Sequence, residues 1–219
     1  MSLTKAIYAA SPAKATQADQ QLQREENLAI AAGLKRQDPE LLDQLIDRYQ
    51  HRLMRYLLYL TNDRSLAEDL FQEAWMRVLV RGSQYNGKAR FDTWLFTIAR
   101  NLVIDFRRKR TTSSLDELFE GAGDDDRPMS IELADDSPTP FEQCLSGEDR
   151  QRVSEALHTL DPIHREVITL RFHEEMSLEE IASVTRANLS TVKSRLYRGI
   201  AALRPMLQEN KMPDGVAAA

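Results

Sequence analysis

The chain has 219 residues, 42% hydrophobic and 29% charged, with 8 glycines, one cysteine and a formal net charge of -5. It is long enough for one or two ordinary cores, and its many Leu, Ala, Glu and Arg against few Gly favour helices. The lone Cys144 excludes an internal disulfide framework and a Cys-rich zinc cluster. Charges break every apolar stretch well short of the ~20 residues a bilayer span needs, and Met1 to Arg24 lacks a signal-peptide pattern, so a cytoplasmic protein with no membrane insertion is expected.

A net negative chain is a poor match for nucleic acid unless the charge is unevenly spread. It is: between Asp116 and Asp149 twelve acidic residues face one cation, Arg127. The same stretch carries Gly121, Gly123, Pro128, Pro138 and Pro140 with no sustained period, the composition of a solvated linker. The expected organisation is a disordered tail (1–24), an N-terminal module (25–110), a flexible acidic linker (111–147), a C-terminal module (148–208) and a second tail (209–219).

In the N-terminal module Leu41, Leu42, Leu45, Ile46 and Tyr49 recur at helical spacing. Leu53, Tyr56, Leu57 and Leu60 continue the pattern into a long helix or a helix pair. Ser65 with Glu68 reads as a capping box, opening a helix whose apolar stripe runs from Leu66 through Leu70, Ala74 and Val78 to Leu79. After a polar loop (82–90), Phe91, Trp94, Leu95, Ile98, Leu102 and Phe106 line a third helix that ends in the cations from Arg107 onward, and Trp94 reads as core. This is a three- or four-helix bundle.

In the C-terminal module Val153, Leu157 and Leu160 share a helix face, then Asp161 caps a helix that has Pro162 at its first position. Ser177 and Glu180 form a second capping box for a short helix ending near Val184. Asn188 then caps a last helix lined by Val192, Leu196, Gly199, Ile200 and Leu203. Short helix, brief turn and second helix outline a helix-turn-helix.

Opposite that last stripe lie Thr191, Ser194 and Arg198, flanked by Lys193, Arg195 and Tyr197, with no acid on the helix. Such a surface suits phosphate and base edges. In the N-terminal module Asp69, Gln72, Glu73 and Met76 fall at i, i+3, i+4 and i+7, a second face suited to a basic, partly apolar groove. The loop and following helix carry Tyr85, Asn86, Lys88, Arg90, Arg100, Asn101, Arg107 and Arg108, chemistry suited to a single strand: stacking, base-edge hydrogen bonds and phosphate contacts. An enzyme is the first rival class, but the four histidines form no i, i+4 pair, and neither an HExxH motif nor a glycine-rich phosphate loop is present. No catalytic residue, metal or cofactor is expected.

The run SLEEIASVTRANLSTVKSRLYRGIAAL resembles region 4.2 of extracytoplasmic-function sigma factors, and LDPIHREVITLRF resembles region 4.1. RSLAEDLFQEAWMRV is similar to region 2.2, and ARFDTWLFTIARNLVIDFRRKR to regions 2.3 and 2.4. One position departs: Arg186 stands in the turn where the family often has Gly. The resemblance implies an all-α fold, with a sigma region 2 bundle and a region 4 helix-turn-helix joined by the linker. It also implies an RNA polymerase specificity subunit that reads minus-10 and minus-35 promoter elements and melts DNA. The 69/72/73/76 face would then meet the β′ clamp helices of core polymerase, with the β flap as a second contact. The 85–108 set would take the minus-10 strand, the 191–198 set the minus-35 duplex, and an anti-sigma factor is a further partner the family allows. The alternative is a stand-alone helix-turn-helix regulator.

Overall fold

The structure, a computed structural model, describes residues 17–113 and 147–208. Among these residues the regular elements are all helical.

Helix α1 (Gln17–Arg36) starts earlier than the sequence pattern suggested, so 17–24 are helix rather than tail. Apolar spacing could not reveal this turn because it rests on polar pairs one turn apart, Gln21 to Glu25 at 2.8 Å and Gln23 to Glu26 at 2.9 Å. Helix α2 (Pro39–Thr61) is a single long helix. Asp38 caps it, accepting from the amides of Glu40 and Leu41, and Asn62 ends it in the left-handed region at φ 55°.

Helix α3 (Arg64–Arg81) is capped by Asp63, not by the expected Ser65 box. The Asp63 carboxylate accepts from Leu66 N at 3.0 Å, while Glu68 turns to Arg64 at 2.9 Å. A charged cap complements the helix dipole better than a hydroxyl two residues later. Helix α4 (Phe91–Ser113) completes the bundle. Leu53, Tyr56, Leu57, Ala67, Ala74, Val78, Leu95, Phe96 and Ala99 are all fully excluded from water at its centre.

In the C-terminal module, α5 (Gly147–Thr159) leads to α6 (Pro162–Ile168), where Asp161 accepts from Ile163 N with Pro162 at the first position. The helix then widens into a π turn, Thr169–His173. Helix α7 (Leu178–Thr185) has the Ser177/Glu180 capping box with both reciprocal bonds formed, at 3.1 and 2.8 Å. Arg186 adopts φ 51°, so the turn accepts a non-glycine left-handed residue, and α8 (Leu189–Gln208) follows. Helices α8 and α6 approach closely at Gly199, where an added Cβ would lie 2.7 Å from Ile168 Cδ1.

The two modules do not keep separate cores. Val167, Leu170, Met176, Ile181, Val184 and Val192 from the C-terminal half join the apolar cluster of the N-terminal bundle. Reciprocally, Tyr59 of α2 packs among Val153, Ala156, Leu157, Leu160, Ile168, Phe172 and Leu203. Its ring lies between His158 and His173, with centroids at 5.7 and 5.4 Å. The expected acidic linker falls largely on 114–146, outside the described residues; Thr111 to Ser113 continue α4.

Candidate nucleic-acid interface

Helix α8 presents the expected surface. Val192 and Leu203 are buried, while Lys193, Ser194, Tyr197 and Arg198 are exposed on the other side and Thr191 and Arg195 are half-buried. Asn188 accepts from Thr191 N at 2.7 Å, fixing the first turn, and no acid lies there to repel phosphate. Short α7, the turn at Arg186 and α8 thus hold a cationic helix face outward on a packed scaffold.

The second face stands on α3. Asp69, Gln72, Glu73 and Met76 are all exposed, Met76 at 55%. Leu79, expected in the buried stripe, is 46% exposed, and Val80 beside it 74% exposed. Val78 fills the last inward position of α3, which leaves these two neighbours on the flank. Together with Met76 they extend an apolar patch that the sequence pattern missed, beside two carboxylates and an amide.

The loop between α3 and α4 departs most from expectation. Tyr85 is only 4% exposed; its hydroxyl donates to Ala89 O at 2.7 Å and its ring packs on Phe91 and Trp94 at 5.6 and 5.2 Å. Burial pushes its phenol well above the ordinary range. Tyr85 therefore anchors the loop to the bundle and offers no free stacking face in this conformation. Asn86 and Lys88 remain exposed, with Asn86 Oδ1 accepting from Lys88 N at 3.0 Å. Gly87 holds φ 71° against α1, where an added Cβ would sit 3.0 Å from Asn27 O.

The expected cations are mostly engaged. Arg90 pairs with Asp92 at 2.5 Å and reaches Glu180 of α7 at 3.6 Å. Arg100 pairs with Glu166 of α6 at 2.6 Å, Arg107 donates to the carbonyl of Leu60, and Arg108 lies 3.3 Å from Asp105. Asn101 is half-buried.

Four residues at the centre escaped sequence reading. Glu174, fully buried at the end of the π turn, takes Arg52 at 2.8 Å and Arg55 at 3.6 Å, and Arg52 also donates to the Glu174 carbonyl at 3.3 Å. Glu166 accepts from Tyr56 Oη at 3.1 Å as well as from Arg100. Burial opposes charge on Arg52, but Glu174 and Asp92 outweigh it and raise its pKa. The available signal was a charge inside an apolar run: Arg55 between Leu53 and Tyr56, and Glu166 just before Val167 and Ile168. Buried carboxylates and guanidiniums almost always have partners.

An all-helical bundle joined to a helix-turn-helix whose last helix exposes a cationic face is the architecture of a two-module DNA-binding protein. Residues 45–112 match the family described as Sigma-70 region 2, and residues 156–205 match Sigma-70, region 4. The chain is 30% identical over 177 residues to the ECF RNA polymerase sigma factor SigW of Bacillus subtilis (strain 168), covering 80% of this chain and 94% of that one. It is 33% identical over 180 residues to SigX of the same organism, covering 81% and 90%. Among solved structures, the fold is similar to the sigma factor RpoE in complex with the anti-sigma factor NepR from Bartonella quintana. That match has a TM-score of 0.62 and 24% identity, covering 77% of this chain and 98% of that chain. CnrH in complex with the cytosolic domain of CnrY gives 0.58 at 22% identity, covering 84% and 98%. This chain belongs to the extracytoplasmic-function RNA polymerase sigma factors of the sigma-70 family.

Proposed function

We infer that this sigma factor docks on core polymerase through the α3 face, reads the minus-35 element with α8 and takes the melted minus-10 strand along the α3–α4 loop and α4. It works in the cytoplasm, where polymerase and promoter are, and an anti-sigma factor is its natural antagonist. The observation that carries the reading is α8: an exposed Lys193, Ser194 and Arg198 surface on a helix whose opposite side is packed against α6. The α3 face supports the polymerase contact, since Met76, Leu79 and Val80 offer apolar area beside Asp69 and Glu73. A stand-alone regulator would have no use for that patch or for a region 2 bundle.

In vitro transcription with purified core polymerase over a genomic promoter library, with start sites mapped, tests the whole reading. Asp69→Ala with Glu73→Ala should weaken capture of core polymerase while circular dichroism stays normal. Full affinity in that variant removes the α3 contact. On the melting side, Asn86→Ala and Lys88→Ala should impair promoter opening more than duplex binding, read by permanganate footprinting.

A further inference from the structure

The turn between α7 and α8 suits glycine and holds an arginine. Arg186 sits at φ 51° and ψ 36°, with its N–H returned to the carbonyls of Ala182 and Ser183. The next amide, of Ala187, reaches back to Ala182 O at 3.1 Å. These bonds close α7 through a single left-handed residue, a place that glycine fills freely and that any residue with a Cβ fills at a cost. All of them are made by the backbone. The Arg186 side chain is exposed and makes no hydrogen bond or ion pair among the described residues. The fold therefore gains nothing from the guanidinium and is strained by the Cβ that carries it.

The place of Arg186 in the motif says what the guanidinium meets. On α8 the exposed residues Ser190, Lys193, Ser194, Tyr197 and Arg198 fall at i, i+3, i+4, i+7 and i+8, one continuous stripe. Arg186 stands four positions before Ser190, at the head of that stripe. In a helix-turn-helix the reading helix puts its N-terminal residues on base edges while the helix before it crosses the phosphate backbone. The turn joining them lies at the rim of the groove, beside phosphates, and a long cation there has a ready counter-charge. Its field is not cancelled locally. Lys193, Arg195 and Arg198 pair with no carboxylate among the described residues either. Of the two acids on α7, Glu180 is held by the capping box and Glu179 stands at the far end of the helix, roughly 10 Å away and so about one Debye length.

We propose that Arg186 is a phosphate anchor for the minus-35 duplex, gripping the backbone at the rim of the groove that the α8 stripe enters. It adds affinity and fixes the register of the reading helix on the duplex, and it carries no sequence information itself. The proposal rests on the assignment of α8 to the minus-35 element.

The test titrates holoenzyme, formed with purified core polymerase, with promoter duplex at several salt concentrations, the duplex carrying its native minus-35 element or single-base variants of it. Arg186→Gln removes the charge and keeps the backbone cost, since Gln37 already holds φ 54° in this chain. Arg186→Gly removes both. Each should weaken binding by about three- to tenfold at low salt, evenly across the minus-35 variants, and reduce the slope of log affinity against log salt by about one. The melting temperature of the free chain should hold in Arg186→Gln and hold or rise in Arg186→Gly, so the loss of affinity comes with no loss of stability. Arg186→Lys should keep the salt slope. Wild-type affinity in both uncharged variants overturns the proposal. A loss in only one of them does so too, because it places the effect in the turn backbone, as does a loss confined to one base position. Arg198→Ala, measured alongside, separates the two readings. If it weakens binding while the Arg186 variants do not, only the anchor falls; if none of the three changes binding, the α8 assignment falls and takes the anchor with it.

Discussion

The two surfaces assigned above to DNA are held in different ways. On α8, Arg198 and Lys193 project from a regular helix seated on Val192 and Leu203, and both side chains are open to solvent. Along the α3–α4 loop and α4, Arg90 and Arg100 are paired to the C-terminal module and Tyr85 is turned inward. One surface is fixed on a single helix, and the other is in part conditional on domain arrangement, through Arg90 and Arg100.

The largest test of this contrast is Tyr59→Ala. Tyr59 belongs to the N-terminal bundle by sequence but fills the C-terminal core, and emptying an aromatic site in a core costs about 3 to 5 kcal/mol. If the seam holds the modules as one unit, calorimetry should show the single transition of the wild type split into two, the C-terminal one shifted down. A single transition shifted by only a degree or so would mean that the Tyr59 contact is loose in solution and the surfaces are less different than described.

How much of this was legible beforehand follows the same division. Capping boxes, apolar stripes and the cations of α8 are local patterns, and Ser177/Glu180, Asp161/Pro162 and the left-handed Arg186 all stand where the sequence put them. The Asp63 cap and the early start of α1 were missed because competing caps and polar helix pairs leave weak signals. The inward packing of Tyr85 was hidden for a deeper reason: an aromatic in a polar loop looks the same whether it faces solvent or a core, and only the placing of Phe91 and Trp94 around it decides. The seam of Arg52, Arg55, Glu166 and Glu174 joins residues over a hundred positions apart in part, which no periodicity records.

Arg198→Ala sharpens the comparison from the side of the fixed surface. A bidentate guanine contact should cost roughly 1 to 3 kcal/mol of minus-35 affinity and relax preference at one position, whereas a phosphate contact should weaken all sequences evenly and reduce the salt slope. Melting temperature should barely move, since the side chain is exposed. Full transcription from a promoter that requires its minus-35 element would show that α8 does not read DNA there.

Gly87→Ala probes the conditional surface with a smaller effect. At φ 71° and with Asn27 O 3.0 Å from the new Cβ, the substitution should cost about 1 to 2 kcal/mol and loosen the loop from α1. Promoter opening should fall while minus-35 binding by the α8 surface stays unchanged. Equal losses in both assays would tie the two surfaces together more tightly than the fold suggests.

The smallest effect lies in the seam's response to acid. His158 packs against Tyr59, and neither of its ring nitrogens finds a hydrogen-bond partner in its half-buried site. Burial, then the nearby Arg165 guanidinium, lower its pKa below the ordinary 6.5. The unfolded chain therefore binds a proton that the folded chain resists, so this group's contribution is fully present above pH 6.5 and is lost as pH falls below it. Chemical denaturation at several pH values should show the C-terminal module weakening on that side, and His158→Gln, which cannot take up the proton, should flatten the slope there while leaving the α8 surface and its minus-35 affinity at neutral pH as they were. A slope unchanged by the substitution would show that the His158 and Tyr59 packing is not the part that acid undoes.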